Sequence, residues 1–162
     1  MKILISVGGK FHAFYLAEGL SKKGYLKAIF TSYPKFKIVE KIPSHKIQTI
    51  PVKEILKKLI DFFVPKNLYA KFNYYNDDLY DYFVSRKINR YKCDIFVGWS
   101  GFSLKTFKSL NNKKTLKVLE RGSSHIKFQH DVLKKEYNKL GIKPLLPSRE
   151  TLSKEIKEYD LA

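Results

Sequence analysis

Two stretches of this chain gather side chains that could do chemistry. Trp99-Ser100-Gly101 follows the apolar run Asp94-Ile-Phe-Val-Gly, and Glu120-Arg121-Gly122-Ser123-Ser124-His125 follows Thr115-Leu-Lys-Val-Leu. The second stretch packs a carboxylate, a guanidinium, two hydroxyls and an imidazole into six positions. Groups of these kinds grip sugar hydroxyls, hold anions and pass protons. A third stretch, Gly8-Gly9-Lys10-Phe11-His12, follows the apolar run from Lys2 to Val7. A glycine turn there lets backbone amides and a helix N-terminus face a phosphate. The dinucleotide fingerprint needs a further glycine that this turn lacks, so a nicotinamide cofactor is not expected. His12 falls in the first turn of the following helix, where it reaches a ligand or covers the helix end. Ser123 or Ser124 can cap a helix, which leaves His125 near its N-terminus and facing the ligand crevice. Trp99-Ser100-Gly101 reads as a site turn or as a packing turn around an indole. No spacing of His, Cys or carboxylates matches a metal site, and no metal is expected.

Those residues need a frame, and the hydrophobic pattern supplies one. Continuous apolar runs predict strands at Lys2 to Val7, Leu26 to Thr31, Ile47 to Pro51, Asp94 to Val97 and Thr115 to Leu119. Between and after them the periodicity predicts helices at Phe11 to Lys23, Val52 to Val64, Asp77 to Tyr91, Phe102 to Leu110, about Ser124 to Leu140 and about Arg149 to Tyr159. The first helix places Phe14, Leu16, Ala17 and Leu20 on one broad face and stops at Gly24. The Asp77 helix opens with an acidic turn after Asn76. Strands alternating with helices predict a doubly wound, Rossmann-like α/β domain with Lys2 to Val7 central and the Leu26 and Asp94 strands beside it. In such a sheet every strand-to-helix turn lies on one edge, so Gly8, Gly9, Ser100, Arg121 and His125 are expected to converge.

At 162 residues the chain has room for a single core, so residues 1 to 162 form one domain. The formal net charge is +17, yet only four of its 32 basic residues are arginine: Arg86, Arg90, Arg121 and Arg149. A lysine excess scattered along the whole chain reads as a solvated surface rather than as a bidentate reading head. No nucleic-acid recognition motif accompanies it, so nucleic acid is not an expected partner. Cys93 stands alone, which excludes a disulfide frame and suits a reducing cytoplasmic setting. No apolar run reaches the roughly 20 residues of a membrane span.

At the same residues a family resemblance is visible. Met1-Lys-Ile-Leu-Ile-Ser-Val-Gly-Gly, Asp94-Ile-Phe-Val-Gly-Trp-Ser-Gly, Val118-Leu-Glu-Arg-Gly-Ser-Ser-His with Gln129, Glu136 and Tyr137, and Glu155 to Ala162 together resemble the N-terminal domain of family 4 glycosyltransferases. Such enzymes place two Rossmann-like domains across a cleft, the GT-B architecture, and move a sugar from a nucleotide donor with retention and without a metal. The resemblance implies that Gly8, Gly9 and Lys10 approach the donor diphosphate and that His125 is catalytic, beside the transferred sugar. It implies that His12, Ser100, Glu120, Arg121 and Ser123 line the acceptor side. Expected partners are a nucleotide sugar as co-substrate and a glycan or lipid-linked acceptor, as in polysaccharide biosynthesis.

Family members continue past a helix like Ser153 to Tyr159 into a second, nucleotide-binding domain. This chain ends at Asp160-Leu161-Ala162. The expectation is therefore an acceptor-side half, inactive alone, that is either a truncated product or the mate of a separate C-terminal half. A second class stays open: a non-catalytic module for an anionic partner, either a polyanion or the membrane's inner face. The helix from Val52 sets Val52, Ile55, Leu56, Leu59, Ile60 and Phe63 beside Lys53, Lys57 and Lys58, a pattern shared by core-facing helices and by helices that lie peripherally on anionic membranes.

Overall fold

A computed structural model of the chain describes residues 1–110, 114–143 and 146–162. Five strands, β1 (Ile3–Val7), β2 (Leu26–Thr31), β3 (Ile47–Thr49), β4 (Ile95–Trp99) and β5 (Leu116–Glu120), form one parallel sheet in the order β3-β2-β1-β4-β5. β1 is central and pairs with β2 on one side and β4 on the other, as the continuous apolar strands predict. Among the described residues six α-helices accompany the sheet: α1 (Ala13–Lys22), α2 (Val52–Phe63), α3 (Lys66–Ile88), α4 (Leu104–Ser109), α5 (Ile126–Lys139) and α6 (Arg149–Leu161). This is the doubly wound α/β arrangement. Among the described residues no helix is long and apolar enough to cross a membrane.

Alternation along the buried strands feeds two cores. Ile3, Ile5 and Val7 of β1 join Phe14 and Ala17 of α1, with Leu26, Ile29, Val97 and Trp99. On the opposite face Leu4, Ala28, Phe30 and Phe96 meet Tyr80, Val84 and Ile88 of α3 and Phe107 of α4. The Phe96 and Phe107 rings meet edge to face with centroids 5.7 Å apart. α1 ends as its sequence dictates: Gly24 takes a left-handed φ of 75° while the Tyr25 amide donates to the Leu20 carbonyl at 2.9 Å.

Several boundaries differ from the sequence expectation, for local reasons. α3 begins at Lys66, eleven positions before Asp77, and Asn76 is an interior helical residue whose buried side-chain amide donates to the Lys53 carbonyl at 2.9 Å. Residues 66 to 75 carry no buried periodicity, because this part of α3 leans on α2 and solvent rather than on the sheet. β4 runs on through Gly98 and Trp99. A Cβ at Gly98 would sit 2.3 Å from Ser103 Oγ, so the glycine lets the start of α4 fold back onto the strand. α1 starts at Ala13, after Phe11 takes a φ of 36°, and Leu16 is exposed rather than core-facing. β3 stops at Thr49, before the proline at 51 that opens α2.

Phe107 is fully buried between the sheet and α3. Phe107→Ala should therefore lower unfolding free energy by about 3–5 kcal/mol in urea titration. A loss under about 1 kcal/mol would contradict the packing described.

Candidate functional site

The turns after β1, β4 and β5 meet at the carboxyl edge of the sheet, where parallel α/β domains hold their ligands. The β4 turn is fixed first. α4 is only six residues long, and its leading amides need acceptors. They find two buried carboxylates from distant helices. Glu158 of α6 accepts from the amides of Gly101 (2.6 Å), Ser103 (2.8 Å) and Leu104 (3.0 Å). Asp81 of α3 accepts from the amides of Lys105 (2.6 Å) and Thr106 (3.0 Å) and from the Thr106 hydroxyl (2.7 Å). Gly101 bends the chain into this clamp with a φ of 86°. Burial pushes the Glu158 carboxyl from its ordinary 4.5 up to about 7, against the pull of the Gly101 and Ser103 amides and of Lys154. Burial raises Asp81 as well.

Arg121 ties the β5 turn to the same frame. One terminal nitrogen donates to Ser100 Oγ at 3.2 Å and to the Glu155 carboxylate, with which it forms an ion pair. The other terminal nitrogen reaches Gln129 Oε1 at 2.7 Å, and Nε donates to the Ser124 carbonyl at 2.8 Å. Ser100 Oγ donates to Glu155 Oε2 at 2.5 Å. The guanidinium thus spends its fork on α5, α6 and two turns, as a planar, fixed-charge donor suits. Ser100 and Arg121 are drawn together as expected, with their polar atoms engaged by the protein itself.

The groups that keep polar atoms open to solvent are fewer. His12 forms no cap on α1; its Nε2 reaches Glu120 Oε1 at 3.2 Å, and its ring lies 5.4 Å from that of Trp99. The β1 turn is thereby joined to the β4 and β5 ends. His125, rather than Ser123 or Ser124, caps α5: its Nδ1 accepts from the Lys127 amide at 3.2 Å while its ring packs 4.2 Å from Tyr159. That geometry commits Nδ1 to the backbone and leaves Nε2 for other work. Ser123 and Lys10 are exposed at the same edge.

The glycine turn has its own occupant. A Cβ at Gly8 would lie 2.3 Å from the Phe102 ring, so glycine at 8 admits an aromatic side chain of the β4 turn. Gly9 is partly exposed, and its carbonyl accepts from the Thr31 hydroxyl at 3.2 Å. Any approach of an anion to this loop falls to Gly9 and Lys10. Among the described residues no group of three or more His, Cys, Asp and Glu could hold a metal ion.

Asp81 carries no chemical motif, and Glu155 and Glu158, though within the stretch quoted for the resemblance, bear no sequence signal of the turn they hold. No protein-family model, curated protein or solved structure matches the chain. The class that fold and geometry define is thus a Rossmann-like α/β domain with a cluster of polar side chains at the carboxyl edge of its sheet.

A buried acid whose folded pKa exceeds its ordinary value stabilises the fold most when protonated. The Glu158 contribution should be complete below about pH 4.5 and should fade as pH rises through about 7. Relative to Glu158→Gln, the native chain should lose unfolding free energy across that window in urea titrations. A difference independent of pH would contradict the buried clamp.

Proposed function

We propose that this chain is the acceptor-side domain of a retaining glycosyltransferase of the family 4 kind, working opposite a second domain that binds the nucleotide sugar. The observation that carries this reading is the gathering of polar side chains at the carboxyl edge of the sheet. His12, Glu120 and His125 keep polar atoms accessible there, on turns held by Arg121, Glu155 and Glu158. The resemblance of Glu120-Arg121-Gly122-Ser123-Ser124-His125 to that family supports the assignment of roles.

In this reading Glu120 accepts hydrogen bonds from acceptor hydroxyls, and His12 holds that carboxylate in place. His125 meets the transferred sugar through Nε2, and Gly9 and Lys10 face the donor diphosphate. The acceptor hydroxyl oxygen bonds to the anomeric carbon while the bond from that carbon to the diphosphate oxygen breaks. The diphosphate leaves with the electron pair, and the hydroxyl proton passes to a neighbouring basic oxygen or nitrogen. A crevice with one wall leaves these groups solvated and forfeits both orientation and preorganised electrostatics. The domain alone is therefore inactive.

The test is to assay the purified chain with a panel of nucleotide sugars and glycan acceptors, alone and with a family 4 C-terminal half added. Turnover is expected only in the mixture, and His125→Ala should cut it by about 10²-fold. His125→Asn, which can still cap α5, should be as slow as the alanine variant, because the imidazole is what the reaction uses. Turnover by the chain alone, or full activity in His125→Asn, would contradict the proposal.

A further inference from the structure

α2 has more apolar surface than the fold covers. At 100° per residue its apolar side chains span a wide arc, of which the domain buries only the part centred on Ile60. Ile55, Leu59, Phe62 and Phe63 are exposed on the outward side, with Phe62 and Phe63 retaining 82% and 71% of their surface. These two rings stand edge to face, 4.7 Å apart, at the end of the helix.

The apolar strip continues beyond α2. Leu59 and Phe63 share a groove with Phe72 of α3, and Ile55 shares another with Phe36, which is 85% exposed. Contiguous apolar surface of this extent on a charged domain marks a place where something docks.

The charges around the strip say what. Its acidic groups have partners within the fold. Glu54 accepts from the Ser32 hydroxyl at 2.6 Å, and Asp61 is held by Lys57 at 3.0 Å and by the Tyr69 hydroxyl. Lys58, beside Ile55 and Leu59, and Lys66, at the start of α3, have no acidic partner among the described residues. Set against the unpaired charge of Glu54, these lysines leave the border of the strip net positive, on a chain of net charge +17. A second copy would bring like-charged borders together, whereas an anionic lipid surface complements both the charge and the apolar face.

We propose that this face docks on anionic bilayers, with α2 lying along the headgroup plane. Ile55, Leu59, Phe62 and Phe63 enter the acyl boundary, and Lys58 and Lys66 meet lipid phosphates. The inference rests on this helix face alone and not on the sugar-transfer reading.

The experiment is cosedimentation of the full chain with phosphatidylcholine vesicles, with and without roughly 30% phosphatidylglycerol, at about 50 and about 500 mM salt. Binding should be at least about tenfold tighter to the anionic vesicles and should weaken with salt, since the attraction between lysines and such a surface is screened. The exposed-site variants F62S/F63S and K58E/K66E, with melting curves confirming their folding, should each lose about tenfold or more. Failure to bind anionic vesicles, or equal binding to both compositions, would overturn the proposal. So would undiminished binding by either double variant. Light scattering that reports a dimer dissociated by F62S/F63S would assign the face to a second copy instead.

Discussion

Two carboxylates buried at the start of α4 hold the carboxyl edge of this domain's sheet in place. Glu158 and Asp81 reach the same short helix from α6 and α3 and between them accept five backbone amides. Leaving those donors unpaired in the interior would cost roughly 1–3 kcal/mol each. That penalty ties the last helix of the chain to the turn after β4. The carboxylates themselves are costly to bury, and the cost appears as raised pKa values rather than as lost structure. Lys154 shares the burial: its ammonium lies 3.6 Å from Asp78 and over the Tyr74 ring.

From that clamp the rest of the edge follows. With the β4 turn fixed, Ser100 meets Arg121, and Arg121 in turn positions the β5 turn against α5 and α6. His12 crosses from the β1 turn to Glu120. The division of labour is physical. Groups wholly hydrogen-bonded within the protein set the geometry, and the imidazoles of His12 and His125 and the carboxylate of Glu120 keep surface open to solvent. Family-like motif residues thus fall into two kinds, with Arg121 on the structural side and His12, Glu120 and His125 on the accessible side.

The strand order was legible because it depends on local signals: continuous apolar runs, glycine turns and helices between them. The edge at which Gly9, Ser100, Glu120, Arg121 and His125 gather was legible for the same reason, since parallel strands leave no other place for their turns. The clamp was not. Glu158 and Gly101 lie 57 positions apart, and nothing in their neighbourhoods marks the pairing. The cap on α5 misled because Ser123 and Ser124 have the usual capping chemistry, whereas the backbone turn presents His125 at the position instead. Periodicity found α2 and its apolar arc, but whether the fold covers an arc depends on the elements packed against it.

The most direct test of this account is native-state hydrogen exchange at the amides of Gly101, Ser103 and Leu104, compared between the native chain and Glu158→Ala. In the native chain these amides should exchange as slowly as those of β1, through global unfolding only. In Glu158→Ala they should exchange through local opening, at least about tenfold faster relative to β1, each tenfold being about 1.4 kcal/mol of lost local protection. If their exchange relative to β1 is unchanged by the substitution, the clamp does not hold the turn, and the frame described for the crevice is wrong.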